Sequence, residues 1–111
     1  MTYDVIATPK FKRDFKKIVK KYRSLEQEYF NLVAELEQNP EKGIDIGQNC
    51  FKIRLAIKSK GKGKSGGGRV ITYFTRVKET VYLLTIYDKS EKDNITDSQI
   101  RELLDELPEM E

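Results

Sequence analysis

Hydrophobic positions along this chain fall into two rhythms. Phe11, Phe15, Ile18, Val19 and Tyr22 recur at three- and four-residue spacing, and so do Leu25, Tyr29, Leu32, Val33 and Leu36. Each set is the apolar stripe of an amphipathic helix. Thr8-Pro9 opens the first helix, with threonine as N-cap and proline at the first helical position. Ser24 is the expected cap of the second, and Asn39-Pro40 ends it. The two helices are nearly contiguous, which predicts an antiparallel hairpin with both stripes on one sheet. A third stripe, Ile100, Leu103, Leu104 and Leu107, follows the capping-box signature Thr96-Asp97-Ser98-Gln99.

The second rhythm is that of strands. Tyr3 to Ala7 reads as a short one. Near 50–56, Phe51, Ile53 and Leu55 alternate with Lys52 and Arg54, and the segments near 69–76 and 80–88 are β-branched and aromatic. The last two are joined tightly around Val77-Lys78-Glu79 and should form an antiparallel meander. Residues 41–49 and 88–95 read as loops. The predicted order is β-α-α-β-β-β-α. It defines an α+β class, a single domain spanning residues 1–111, with a small mainly antiparallel sheet, an N-terminal helical hairpin packed on one face and a C-terminal helix near the edge. One of Tyr73 and Phe74 faces the core, since neighbours on a strand point to opposite faces, and Tyr82 is expected in the core.

Charge adds what hydropathy does not show. The net value of +3 conceals segregation: residues 10 to 23 hold eight basic groups and one acid, residues 46 to 78 hold nine basic groups and none, and residues 88 to 111 hold nine acids against three bases. The single cysteine, Cys50, forms no internal disulfide, which fits a reducing cytoplasm, and is expected as a small buried apolar group. The chain has no histidine. That excludes the usual general base, Ser/His and Cys/His nucleophile pairs and zinc sites, so neither a metal nor a cofactor is expected. No apolar run reaches the roughly 20 residues of a membrane span, and the N-terminus lacks a signal-peptide pattern.

The basic excess centres on residues 52–69. Gly61, Gly63 and Gly66 to Gly68 give the middle of this segment no side chains to pack, so a cationic loop joins two strands. Lys60, Lys62 and Lys64 in that loop suit attraction of a polyanion such as RNA, or form a solvated hairpin tip. Gly63-Lys64-Ser65 echoes the end of a phosphate-binding P-loop, but Lys58 stands where that motif needs glycine and a strand follows where it needs a helix. Lys52 and Arg54 share a strand face, and Arg69 is expected near the open end of the ribbon if the strands flanking the loop pair. Cations held close together on rigid backbone are costly unless an anion neutralises them, which is the case for a phosphate site. As a surface cation, Arg69 should be replaceable without damage to the fold. Tyr87 and Lys89, two residues apart, should share the face of the last strand's end. There Tyr87 could stack on a base or orient a reacting oxygen, and Glu91 could position Lys89 or Arg69.

Taken together, Lys52-Ile-Arg-Leu-Ala, Gly66-Gly67-Gly68-Arg69 closing a glycine-lysine loop, and Tyr87-Asp88-Lys89-Ser90-Glu91 resemble the RelE/ParE superfamily of bacterial toxins, and within it the HigB-like branch of RelE-type toxins. Ser65 stands where relatives often carry arginine, and the absence of histidine separates the chain from branches that use it. The resemblance implies a ribosome-dependent mRNA endonuclease of a type II toxin–antitoxin system that inhibits translation. Its partners would be mRNA on the ribosome and a cognate antitoxin of helix-turn-helix type. RNA can be cut without metal when its 2′-hydroxyl attacks the adjacent phosphate and the protein orients the strand and stabilises charge. Arg54 and Arg69 suit phosphate binding, because a guanidinium forks onto two oxygens. A lysine crowded by cations gives up its proton more readily, and Lys52, Lys58 and Lys89 are the candidates for base. The expected catalytic set is Lys52, Arg54, Lys58, Arg69, Tyr87 and Lys89, with Lys60, Lys62, Lys64, Tyr73 and Lys92 binding RNA. The rival readings are a ParE-like inhibitor of a DNA topoisomerase and a catalytically inactive RNA-binding relative.

Overall fold

The expected elements are present, and an unexpected strand joins them. The computed structural model describes residues 2–58, 66–92 and 94–107. Strand β1 (Asp4–Ala7) leads into helix α1 (Pro9–Lys21). The Thr8 hydroxyl accepts from the Phe11 amide at 3.2 Å and donates to the Leu83 carbonyl at 2.9 Å, so the cap of α1 also ties the helix to the sheet. Helix α2 (Leu25–Gln38) starts differently from expectation. Ser24 is itself helical in conformation (φ −60°, ψ −18°), makes no capping bond, and buries its hydroxyl without a hydrogen-bond partner among the described residues. The entry is instead a tight turn, with Leu25 and Glu26 amides donating to the carbonyls of Tyr22 and Arg23. Glu26 and Glu28 in the first turn favour the positive end of the helix.

Residues 41–49 are not merely a loop. They contain strand β2 (Ile44–Gly47), which pairs antiparallel with β3 (Cys50–Leu55). The connection is two residues long. Gln48 and Asn49 both have positive φ (57° and 61°), the conformation a type I′ hairpin demands. Gly43, at φ +109°, enters β2 where a Cβ would lie 2.6 Å from the Lys52 carbonyl oxygen.

Strands β4 (Gly68–Thr75) and β5 (Thr80–Asp88) complete a five-stranded sheet of order β1-β5-β4-β3-β2, in which only β1 and β5 run parallel. Between β4 and β5 the register slips by one residue: Ile71 faces Thr85 and Thr72 faces Leu83. Leu84 is the extra residue of this bulge. Its consequence is visible in the packing, because Leu83 and Ile86, three residues apart, both face the hairpin-side core, whereas Leu84 and Tyr87 lie on the opposite face.

The larger core lies between the sheet and the helical hairpin. It joins Phe11 and Ile18 of α1 and Leu25, Leu32 and Leu36 of α2 to Phe51, Ile53, Val70, Phe74, Leu83 and Ile86. Full burial of each such side chain contributes about 1.5–3 kcal/mol. The smaller core lies on the opposite face, where helix α3 (Asp97–Asp105) sets Ile100 and Leu103 against Cys50, Ile71, Tyr82 and Leu84. The last helix therefore covers part of the second sheet face rather than flanking an edge. Its capping box forms as expected, with Gln99 N to Thr96 Oγ1 at 3.1 Å and Thr96 N to Gln99 Oε1 at 2.9 Å. Phe74 is the core residue of its pair, and Tyr73 lies half-buried on the α3 side.

Candidate nucleic-acid interface

Sheet register assembles the site. Arg54 of β3 is the direct cross-strand partner of Arg69 of β4, and Arg69 is the partner of Tyr87 of β5. Partners in a ladder share a face, so the three side chains form a row across three strands, about 10 Å long at the ordinary strand spacing. Lys52, two residues before Arg54, shares that face and lies opposite Ile71. Like charges placed directly opposite each other destabilise a sheet.

The two arginines differ in setting. Arg54 is exposed, whereas Arg69 retains 4% exposure and its Nη1 donates to the Gly68 carbonyl at 3.0 Å. Arg69 is thus a buried guanidinium and not the replaceable surface cation that its place beside a glycine-rich loop suggests. Gly67 has a backbone role: a Cβ there would overlap the Leu55 carbonyl oxygen at 2.0 Å, so glycine lets β3 and β4 close at the base of the loop.

At the other end of the row, half-buried Tyr87 packs on the α3-side core, and the ammonium of Lys92 sits 5.3 Å from its ring centroid. The turn that carries Lys92 back over the ring is built by Asp88. Its carboxylate accepts from Ser90 N (2.9 Å) and Ser90 Oγ (2.8 Å), and its carbonyl accepts from the amides of Glu91 and Lys92. β5 ends at Asp88, so Lys89 stands one residue past the strand, its amide bonded to the Gly67 carbonyl at 3.1 Å.

Several expected participants lie elsewhere. Lys58 is exposed and reaches Glu28 of α2 at 4.0 Å, on the hairpin side of the sheet. Glu91 pairs with Lys21 of α1 at 3.5 Å and not with Lys89 or Arg69. Tyr73 stacks on Tyr82 (centroids 6.4 Å apart) beside Cys50. Burial chiefly raises the Tyr73 hydroxyl's pKa. Lys60, Lys62 and Lys64 lie outside the described residues. Cys50 is fully buried, and burial, with the nearby charge of Asp45 adding to it, pushes its thiol up to about 12. Among the described residues no cluster of three or more His, Cys, Asp or Glu is placed to hold a metal ion, and no helix is long and apolar enough to cross a membrane.

The family model described as the RelE toxin of the RelE/RelB toxin–antitoxin system matches residues 10–107. The chain belongs to the RelE toxin family. The fold agrees with solved members. An arginine double mutant of E. coli toxin RelE in the free state superposes with a TM-score of 0.61 at 14% identity, covering 97% of this chain and 100% of that one. The isolated E. coli RelE toxin gives 0.56 at 15% identity, over 95% and 99% of the two chains. RelE in the intact E. coli RelBE toxin–antitoxin complex gives 0.52 at 14% identity, over 78% and 95%.

In this RelE-family toxin the lysine-rich helix α1 also borders the end of β5. The helix carries two lysine flanks. Lys12, Lys16 and Lys20 border a groove floored by Phe11, Phe15, Val19 and Tyr29. Lys10, Lys17 and Lys21 border a cleft against the end of β5, and Tyr87 and Lys92 line the same cleft. The spacing 10, 14, 17, 21 was a readable signal for this second stripe. Asp14 sits within it, accepting from Lys10 Nζ at 2.9 Å and from Thr85 Oγ1 at 2.6 Å.

Proposed function

We propose that this toxin is a metal-independent endoribonuclease of the HigB-like branch, cutting mRNA on the ribosome in the cytoplasm and held inactive by a cognate antitoxin of helix-turn-helix type. The observation that carries the reading is the Arg54–Arg69–Tyr87 row, two opposed guanidiniums beside an aromatic ring, in a chain of the RelE toxin family. A phosphodiester against Arg54 meets an exposed guanidinium, with the buried charge of Arg69 behind it adding to the positive field, and the neighbouring base has the Tyr87 ring to stack on. In the reaction the 2′-oxygen forms a bond to phosphorus as the bond to the 5′-oxygen breaks, leaving a cyclic phosphate and a 5′-hydroxyl. The 2′-hydroxyl proton passes to a base, and the leaving oxygen gains one. Arg54 and Arg69 stabilise the charge on phosphorus in the transition state. Lys52, on the same face, is the base favoured by position; Lys89, at the strand end, is placed to protonate the leaving oxygen. Lys58 contributes less, since it faces the helical hairpin. Lys60, Lys62, Lys64 and Lys92 supply attraction for RNA, and Tyr73 props Tyr82 more than it meets substrate. The complexed E. coli RelE supports an antitoxin partner.

Induction in bacteria with mapping of mRNA 5′ ends tests the reading. Cuts within translated codons are expected. Intact mRNA with arrested replication would replace it by topoisomerase inhibition, and intact mRNA with normal growth by an inactive RNA-binding relative.

A further inference from the structure

The cleft between α1 and the end of β5 encloses about 360 Å³, within the size range of small-ligand sites. Four lysines and three carboxylates line it. The carboxylates are already engaged. Asp14 accepts from Lys10 and Thr85, Asp88 from the Ser90 amide and hydroxyl, and Glu91 faces Lys21 at 3.5 Å. The Glu91–Lys21 pair is exposed on both sides, and such pairs contribute little and exchange readily for a stronger anion. Lys17 makes no ion pair among the described residues, and Lys92 makes none beyond its contact with the Tyr87 ring. The cleft therefore offers ammonium groups whose charge is not spent internally.

Its position gives those groups a ligand. Tyr87 belongs both to the Arg54–Arg69 row and to the wall of the cleft. The row lies on the α3 face and the cleft on the hairpin face. The two meet at the end of β5 that β1, paired only as far as Leu83, leaves uncovered, so a strand of RNA with a base against Tyr87 reaches the cleft by turning over that edge. The groove on the other flank of α1 lacks this fit, since its floor is apolar and only its rim is cationic. We propose that the α1–β5 cleft is a second RNA subsite, in which Lys17, with Lys21 and Lys92, binds a backbone phosphate of the substrate strand adjoining the scissile bond. The inference rests on the nuclease reading and adds a determinant of substrate binding outside the row.

Lys17→Glu tests it against Lys12→Glu, an equal charge change at an exposed position on the opposite flank of the same helix. On programmed ribosomes Lys17→Glu should raise KM about tenfold and leave kcat at saturation unchanged, the signature of lost ground-state binding. Messages carrying a single neutral methylphosphonate linkage at successive positions on either side of the cut locate the contact. At one position the neutral linkage should raise the wild-type KM as much as Lys17→Glu does, with no further rise when the two are combined. Equal effects of Lys17→Glu and Lys12→Glu would overturn the subsite, as would losses from Lys17→Glu that add to those of every neutral linkage, because the contact would then be to the ribosome's own RNA. If the wild type cleaves no mRNA, the nuclease reading fails separately. Anisotropy of a labelled single-stranded oligoribonucleotide then decides: weaker binding by Lys17→Glu than by Lys12→Glu supports the subsite, and equal binding removes it.

Discussion

One face of the sheet is used in two ways along the same three strands. Toward one end, Cys50, Ile71, Tyr82 and Leu84 take Ile100 and Leu103 of α3 and form a small apolar core. Toward the other, Lys52, Arg54 and Arg69 succeed them in the same alternation, Tyr87 follows Leu84 across the bulge, and together they carry cations and an aromatic ring. Strand periodicity fixes which side chains share a face but not whether that face is packed or offered to a ligand. Here the apolar half is the one on which Ile100 and Leu103 of α3 pack. The packed half holds the strands in register, and the register opposes the two arginines.

The largest effect that separates the halves is expected at Arg69. Arg69→Ala should abolish mRNA cleavage and also lower stability by about 1–3 kcal/mol, since it removes a buried guanidinium and its bond to the Gly68 carbonyl. Arg54→Ala should cost activity as well, but change stability by less than about 0.5 kcal/mol, because Arg54 is exposed and its loss relieves the charge opposite it. Urea denaturation beside single-turnover cleavage reads both. Equal destabilisation by the two variants would mean that the arginines are structurally equivalent and the phosphate argument for their opposition is wrong.

The packed half should show the reverse pattern. Leu84, at 1% exposure, is the bulge residue that feeds the smaller core, and Leu84→Ala should destabilise by about 2–5 kcal/mol. Cleavage per folded molecule should be retained. A fall in that normalised rate as large as the one from Arg54→Ala would show that the bulge sets the geometry of the row.

The smallest expected effect concerns Cys50, whose thiol is held near 12 against an ordinary 9.0, first by burial and then by Asp45. The folded state keeps the thiol proton where the unfolded chain loses it. Stability on this account is full below pH about 9 and declines as pH rises toward about 12. Urea midpoints measured on either side of pH 9 should fall less steeply for Cys50→Ala than for the wild type. Matching slopes would assign the decline to other groups, Tyr29 and Tyr73 among them, since burial raises both of their pKa values.

Much of this architecture is legible without coordinates. The stripes of the three helices, the α1 cap at Thr8 and the capping box at Thr96 are local patterns, and local physics builds them. Strand β2 escaped because Ile44-Asp45-Ile46 is only one and a half periods of alternation, although the glycines at 43 and 47 bracket it. The cap at Ser24 failed because a turn from Tyr22 already satisfies the helix entry. The residue types of the site were legible, but their arrangement was not. That Arg54 faces Arg69, and Arg69 faces Tyr87, depends on pairing across the loop and across the Arg76–Glu79 turn, and the bulge at Leu84 shifts every count made along β5. The burial of Arg69 is likewise tertiary, since its strand lies between β3 and β5 in the sheet.

The parallel pairing of β1 with β5 has a consequence for synthesis. Among the described residues β1 finds its sheet neighbour in β5, the last strand of the sheet to be made, and Thr8 at the start of α1 bonds to the Leu83 carbonyl, 75 positions later. Contacts of such long sequence separation form late. The helical hairpin can emerge and coil on its own, but the face it must cover does not exist until β5 has been made. The arginine row likewise needs all of β3, β4 and β5. A nascent chain therefore carries no assembled arginine row until β5 has been made.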